Sequence, residues 1–532
     1  MFNKNKPNII ILSDKTEMFY MFKLVGPHQV ASALRHAGFE VAVINHLHTF
    51  SLNDIKSMLR QLVNENTLYV GFSTFFYENI QDFISTNGVV DPTRSINFAK
   101  HIFQKLKRKE LGSMLPHGMQ FNKEIRQLVK EANPKCALVL GGVDAQDFEY
   151  TKDYDYVTIG YSDTSAVNLA QHLHTGAPLL NSRRSLFGPT MVDDRTASTY
   201  PFTTTPLRYE SHDCILPGET LAIELGRGCI FRCGFCSYPL NGKKKLDYLK
   251  HEEILRQEFM ENYERFGVTR YFFSDDTFND SKEKLEMILR ISKSLPFKLE
   301  YWAYIRVDLL AAHPDTLDML VESGWRAAYC GIETLHERAA SVVGKGGSRQ
   351  RVLDTLARVK NEHGDLINLH GSFILGLPEE PVESIQRTCD RLVNGDIAVD
   401  SWSIIPFILF NKAGTTYHSE FDSHYEKYGY EITGSYPGSN IMPWRNQFTT
   451  YEDMIQLRID TEAKGKGSSQ ANKLHGLASF YIAGLGFDLE YAHNKDVNII
   501  SWPDIVKQKQ QRIKEYRTLI EQQLDVKLDS GI

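Results

Sequence analysis

No stretch of this 532-residue chain is long and apolar enough to span a bilayer, the longest candidate being the short run from Ile404 to Phe410. No disulfide framework is visible either. The seven cysteines are an odd number, and Cys136, Cys214, Cys330 and Cys389 are scattered, which favours a reducing compartment. Neither sign of charge dominates, and a net charge of −6 leaves no global footprint for nucleic acid. The local basic run Lys243-Lys244-Lys245 reads as a solvated loop, with phosphate binding as the functional alternative. Internal repeats and low-complexity tracts are absent. Met1 to Pro7 is basic, but the apolar segment after it stops at Asp14 without a cleavage-site pattern, so the chain reads as cytoplasmic. What remains is a globular composition, 42% hydrophobic and 24% charged, long enough for about three domains at roughly 150 residues each.

Against that background stands Cys229-Ile230-Phe231-Arg232-Cys233-Gly234-Phe235-Cys236. Three thiolates on one short loop leave a four-iron cluster one ligand short, because a cluster held wholly by protein takes four. The open iron is where chemistry can occur. A closed zinc tetrahedron is the competing reading, with Cys214 as fourth ligand. Against zinc stand the tightness of the triplet, the glycines Gly226, Gly228 and Gly234 around it, and the lack of a second C-x2-C pair.

The chain reads as α/β throughout most of its length. From Asn8 to about His174, short apolar strands alternate with amphipathic helices, the pattern of a doubly wound parallel sheet. Strands are expected at 8–12, 40–44, 68–72, 137–140 and 156–159, and helices at 30–37, 54–62 and 166–173. An insertion at about 75–119 interrupts the rhythm and reads as a lid or substrate loop. Residues 176–218, rich in Pro, Ser and Thr, read as an extended linker. Strand-helix alternation resumes over 219–410, with strands expected at 221–225, 271–273, 299–303, 327–330, 369–375 and 402–406. Residues 411–532 read as a mainly helical region closing the barrel mouth, with helices at 451–463 and 504–524. In the last helix Ile505, Ile513, Tyr516, Ile520 and Leu524 recur at helical spacing and are expected to pack on the barrel.

The C-x3-C-x2-C loop, with Phe235 before its last cysteine, resembles the signature of the radical S-adenosylmethionine (radical SAM) superfamily. The resemblance implies a partial (β/α)6 barrel over 219–410, a [4Fe-4S] cluster on Cys229, Cys233 and Cys236, and SAM chelated to the free iron. It further implies reductive cleavage of SAM to a 5′-deoxyadenosyl radical that takes hydrogen from a small or medium-sized substrate, with an electron donor such as flavodoxin or ferredoxin. Further motifs follow in strand order. Phe235 and the backbone through Ser237 and Tyr238 are similar to the family's adenine contacts. Ser274-Asp275-Asp276-Thr277-Phe278 resembles the element that accepts from the SAM ammonium; neighbours on a strand face opposite sides, so one of Asp275 and Asp276 serves SAM and the other caps a helix. Arg306 is a candidate fork for the SAM carboxylate or a partner of Asp308 or Glu333. Glu333 resembles the residue that meets the ribose, with Arg338 and Lys345 in the helix and turn that follow. Gly371 to Glu380 resembles the fifth-strand motif, in which Gly376 permits close backbone approach and Glu379 caps the next helix. Tyr301, Trp302, Tyr304 and Tyr329 are candidates to line the barrel interior.

Residues 1–175 resemble the cobalamin (B12)-binding domain that precedes many radical SAM barrels, through Ala33 to Val41, Ser73 and Gly141-Gly142. The Asp-x-His-x-x-Gly loop of some cobalamin proteins is missing. Lys23 stands where its histidine would, and His28, nearby, reads as a helix-start residue rather than a ligand. With cobalamin in this domain the resemblance implies methyl transfer to carbon; without it, a radical rearrangement, dehydrogenation or other oxidation, sulfur insertion being disfavoured by the lack of a second cysteine cluster. A non-catalytic iron-sulfur or zinc sensor or scaffold is the alternative of another class.

Overall fold

The computed structural model describes residues 2–13, 21, 23–73, 116–142, 145, 151–184, 188–193, 200–238, 243, 248–364, 366–411, 418–436, 441–465, 476–493 and 502–529. The expected insertion at 75–119 falls largely outside them, as do Lys244 and Lys245.

The first sheet begins with β1 (Asn8–Leu12), five consecutive buried residues, the signature of a parallel strand covered on both faces. It continues through β2 (Glu40–Ile44), β3 (Thr67–Ser73), β4 (Ala137–Gly141) and β5 (Tyr156–Ile159), which run parallel in the order β2-β1-β3-β4-β5. The crossovers are α1 (Val25–His36), α2 (Leu52–Leu62), α3 (Pro116–Ala132) and α4 (Asp163–Thr175). The strand order reverses between β1 and β3, and ligands of doubly wound folds gather outside the carboxyl ends at such a switch point. Helix α2 opens on a capping box, in which Ser51 Oγ accepts from the Asp54 amide and Asp54 accepts from the Ser51 amide.

The supposed linker joins this sheet in part. Strand β7 (Thr190–Asp193) pairs parallel with β5, and β6 (Ser182–Arg184) pairs antiparallel with β7. The β6 residues are all exposed, so no apolar alternation marked the strand in the sequence.

The second sheet has six parallel strands in simple order: β8 (Thr220–Ile223), β9 (Arg270–Phe273), β10 (Glu300–Ile305), β11 (Trp325–Glu333), β12 (Asn368–Leu375) and β13 (Ser401–Pro406). Between them lie α5 (Glu252–Phe266), α6 (Lys282–Ser294), α7 (Val307–Ala312), α8 (Thr316–Ser323), α9 (Glu337–Val342) and α10 (Arg349–His363), and α11 (Val382–Asn394) precedes β13. Alternation along each strand separates two faces. Leu221, Ile223, Tyr271, Phe273, Tyr301 and Ile305 pack outward in the large core with α5 and α6. Ala222, Phe272, Trp302 and Ala327 point inward, where Phe272 and Trp302 stack at 3.9 Å. Tyr304 and Tyr329 share that inner face, whereas Tyr301 is turned outward and bonds Ser323 Oγ at 2.7 Å; it does not line the interior.

After β13 come α12 (Glu420–His424), α13 (Tyr451–Gly465), α14 (Gly476–Gly484), α15 (Leu489–His493) and α16 (Trp502–Leu524). Phe480, Ile482 and Ala483 of α14 press on the inner face at its amino end, where Thr220 Oγ1 donates to Phe480 O and Arg270 donates to Ala483 O. Helix α16 departs from expectation. Among its described side chains Ile505 meets the barrel cluster, whereas Tyr516, Ile520 and Leu524 enter the core of the first sheet. Tyr516 Oη bonds the amide and carbonyl of Asn45, each at 3.2 Å, and Arg517 pairs with Asp54 at 2.9 Å. Among the described residues no helix is long and apolar enough to cross a membrane.

Candidate functional site

The cysteine loop leaves β8 at the carboxyl end of the barrel. Cys229 is buried, with Sγ 3.5 Å from Thr277 Oγ1, and burial raises its thiol above the usual range. Cys233 and Cys236 are half-buried, and the Cys236 amide turns back onto Cys233 O at 3.0 Å. Three other elements pin the loop. Arg306, at the end of β10, donates to Cys233 Sγ at 3.5 Å and lies 3.9 Å above the Phe231 ring. Gly344, with φ +82°, passes so close that a Cβ there would lie 3.4 Å from Cys233 Cα. Phe421 of α12 covers Gly234, where a Cβ would fall 2.5 Å from its ring, and the Phe421 amide donates to Gly234 O.

Among the described residues no three His, Cys, Asp or Glu side chains converge on a single-ion site. Cys229, Cys233 and Cys236 share one loop, a donor set of three sulfurs that matches three corners of a cubane. Cys214 offers no fourth ligand: it is buried in the core of the first sheet, its thiol donates to His212 O at 3.6 Å, and burial pushes its pKa up to about 12.

The two neighbouring carboxylates separate sharply. Asp275 is buried, accepts from the Leu225 amide at 3.0 Å and pairs with Lys284 at 2.9 Å, and so braces the loop's entry rather than capping a helix. Asp276, by contrast, is exposed. Burial around it and the adjacent Asp275 charge push its pKa up to about 7, while Tyr238 supplies a hydrogen bond that favours the charged form.

Other candidates are already engaged. Arg306 forks onto Asp308 at 3.1 and 2.6 Å and donates to Gly344 O, so the Asp308 alternative is the one observed and the guanidinium is not free for a SAM carboxylate. Glu333, at φ +65°, pairs with Lys345 at 3.1 Å. Gly376, at φ +83°, is approached by Trp444 of the C-terminal region, whose ring would lie 2.5 Å from an added Cβ, and Tyr430 Oη donates to Gly376 O at 2.8 Å. That close approach is protein on protein. Phe235 is half-buried and packs against the barrel core. Glu379, also at φ +65°, pairs with Arg338 at 3.2 Å instead of capping α11, whose N-cap residue is Pro381.

Several participants carried no legible signal. Arg227, at the loop's start, pairs with Asp163 of α4 and with Glu224. Tyr161, after β5, hydrogen-bonds Tyr238 through the two hydroxyls. Both bring the first domain to the loop, a long-range placement that no local spacing encodes. Asn279 exchanges hydrogen bonds with the backbone of Arg306, and an amide three residues beyond Asp276 gives no such hint.

Residues 223–392 match the Radical SAM superfamily. They form a radical SAM domain. The chain is 31% identical over 273 residues to an uncharacterised methyltransferase of Pyrococcus horikoshii, covering 48% of this chain and 50% of that one. It is 25% identical over 222 residues to the bacteriochlorophyllide d C-12(1)-methyltransferase of Chlorobaculum tepidum, covering 41% and 46%. The chain thus spans about half the length of these curated relatives. Among solved structures, the radical SAM methyltransferase TsrM of Kitasatospora setae, with tryptophan and a SAM analogue bound, superposes with TM-score 0.55 at 15% identity, covering 80% of this chain and 79% of that one. The cobalamin-dependent SAM radical enzyme OxsB gives 0.53 at 16%, covering 74% and 53%. At such identities the likeness is one of fold.

Proposed function

We propose that the chain is a SAM-dependent radical enzyme whose barrel holds a [4Fe-4S] cluster on Cys229, Cys233 and Cys236. The observation that carries this reading is the three-sulfur loop at the carboxyl end of β8, beside the strand end of β9 that carries the exposed Asp276. When bound, the cluster supplies the electron that cleaves SAM, drawn from a donor such as flavodoxin or ferredoxin. The chain's own residues bind and orient. Asp276 accepts from the SAM ammonium, with Tyr238 fixing the carboxylate, and Phe235 lies against adenine. Thr277 and Arg306 steady the sulfurs of Cys229 and Cys233, and Glu333, held by Lys345, borders the ribose. Phe421 and Trp444 close the loop and strand ends from the C-terminal side, which excludes water from a reactive primary carbon.

Methyl transfer to carbon, with cobalamin on the first domain, is the reaction we favour. It is supported by the methyltransferase names of the relatives and by the fold shared with TsrM and OxsB. Strands β4 and β5 lead into Gly142 and Gly160, at φ +119° and +101°, which leave bare backbone at the carboxyl edge where a corrin would lie. Neither candidate for a cobalt ligand is available. His28 is fully enclosed, its Nε2 engaged by Asn45 at 3.1 Å, and Lys23 pairs with Glu219 at 2.5 Å. A corrin held here takes no cobalt ligand from either residue.

Anaerobic reconstitution tests the proposal. About four irons and four sulfides per chain and reductive release of 5′-deoxyadenosine are expected, both lost in Cys233→Ala. Zinc without sulfide would reject it. Corrin absorbance in protein isolated from cobalamin-supplemented cells separates methyl transfer from a cobalamin-independent rearrangement or oxidation, which its absence would favour.

A further inference from the structure

Arg306 meets Cys233 with its charge already oriented. Its backbone is held at the end of β10 by Asn279, whose Oδ1 accepts from the Arg306 amide at 2.9 Å and whose Nδ2 donates to the Arg306 carbonyl at 3.0 Å. The side chain is fixed as firmly. Nε and Nη2 form one edge of the guanidinium and fork onto Asp308 at 3.1 and 2.6 Å, while Nη2 also donates to Gly344 O at 3.1 Å. One face is covered by the Phe231 ring, whose centroid lies 3.9 Å from Cζ. Nη1, outside the forked edge, donates to Cys233 Sγ at 3.5 Å. Asp308 is held in turn by the Gly346 amide at 3.0 Å. Arg306 is 5% exposed and Asp308 9%, so water does little to screen either charge. The three groups form an ordered row in which the cation stands next to the sulfur and the carboxylate lies behind the cation.

A cysteine that ligates iron does so as a thiolate and has no proton to give, so this contact runs from nitrogen to sulfur, and an arginine keeps its charge throughout. Reduction of a [4Fe-4S] cluster adds one electron and with it one negative charge, and the potential of the cluster follows its net charge, the hydrogen bonds to its sulfurs and its exposure. A cation donating to a ligating sulfur therefore favours the reduced form, and a carboxylate behind that cation opposes it. We propose that Arg306 and Asp308 set the reduction potential of the cluster as an opposed pair: the guanidinium raises it through Cys233 Sγ, and Asp308 holds back part of that rise. The inference rests on the reading of Cys229, Cys233 and Cys236 as cluster ligands and goes beyond it, since steadying a loop calls for no particular sign of charge beside the sulfur. The electron comes from the external donor, no bond is made or broken, and the pair acts on how readily the cluster accepts it.

The test is a redox titration followed by electron paramagnetic resonance, without SAM, of full-length, anaerobically reconstituted wild type, Arg306→Gln and Asp308→Asn, with iron and sulfide counted in each. Arg306→Gln is expected to lower the midpoint potential by about 59 mV, a tenfold change in the one-electron equilibrium and the scale of one charge-assisted hydrogen bond. Asp308→Asn is expected to raise it by a similar factor. The opposite signs separate this proposal from a structural role, because a loosened loop would affect both variants alike. With clusters intact in both, any other pattern, whether unchanged potentials or shifts of one sign, overturns the inference and leaves the three-cysteine reading standing. If one variant assembles no cluster, the sign of the shift in the other decides. If neither does, the pair is structural and the inference fails. A wild type that lacks about four irons and four sulfides per chain rejects the reading of the cysteines itself.

Discussion

Asp275 and Asp276 show how one step along a strand changes a carboxylate's work. Asp275 neutralises buried Lys284 and ties down the Leu225 amide. Its conversion to Ala would leave an ammonium buried without its nearest partner, at a cost of about 3–5 kcal/mol. Chemical denaturation is expected to show that loss, with iron incorporation falling alongside. Asp276 has the opposite profile. A carboxyl with pKa near 7 is largely neutral at pH 6 and largely charged at pH 8. SAM affinity is therefore expected to rise with pH through about 7 as the acceptor ionises, and to lose that dependence in Asp276→Asn. Gly234 is a third case at this scale. A methyl there collides with Phe421, so Gly234→Ala is expected to lower cluster occupancy, read as absorbance of the reconstituted cluster.

At the scale of elements, α16 does what its spacing could not reveal. The pattern of Ile513, Tyr516, Ile520 and Leu524 marks an amphipathic helix but is silent on which core receives it. The receiving core is that of the first sheet, through Tyr516 and Asn45 and through Arg517 and Asp54. Tyr516→Ala is expected to cost about 3–5 kcal/mol, reported by denaturation of the first domain. Legibility in the sequence followed the range of the interaction. Strands such as β1 and β2 were plain because continuous apolar runs signal burial on both faces, and the cysteine loop was plain because its ligands are adjacent. Strand β6, with three exposed residues, carried no such signal, and β7 was hidden in a Pro-rich stretch. The site was half legible. Cysteine spacing and strand-end motifs named residues that the fold gathers at the strand ends, but which aspartate is exposed, and that Arg306 is consumed by Asp308, depend on contacts made across the barrel.

For the whole molecule, the junction between the two sheets is a charged, buried seam. Asp213 pairs with Arg35 at 2.7 Å and faces His28 Nδ1 at 3.6 Å, while Lys23 pairs with Glu219. Burial lowers His28 to about 4, so the folded protein keeps it neutral where an unfolded chain would protonate it. The sign follows: its contribution is fully present above about pH 6.5 and is lost as pH falls toward 4, an effect on the order of 3 kcal/mol for a shift of this size. Thermal melts between pH 7 and 4.5 are expected to show falling stability, less steep in His28→Gln. The seam thus keeps the first sheet fixed against the barrel at neutral pH, as the contact between Tyr161 and Tyr238 requires.

The most direct measurement is the electron paramagnetic resonance spectrum of the dithionite-reduced, reconstituted chain before and after SAM is added. A cluster held by Cys229, Cys233 and Cys236 alone has one iron open to SAM, so the reduced signal is expected to change its g-values on addition. An unchanged signal, or no iron-sulfur signal in fully reconstituted protein, would contradict the account.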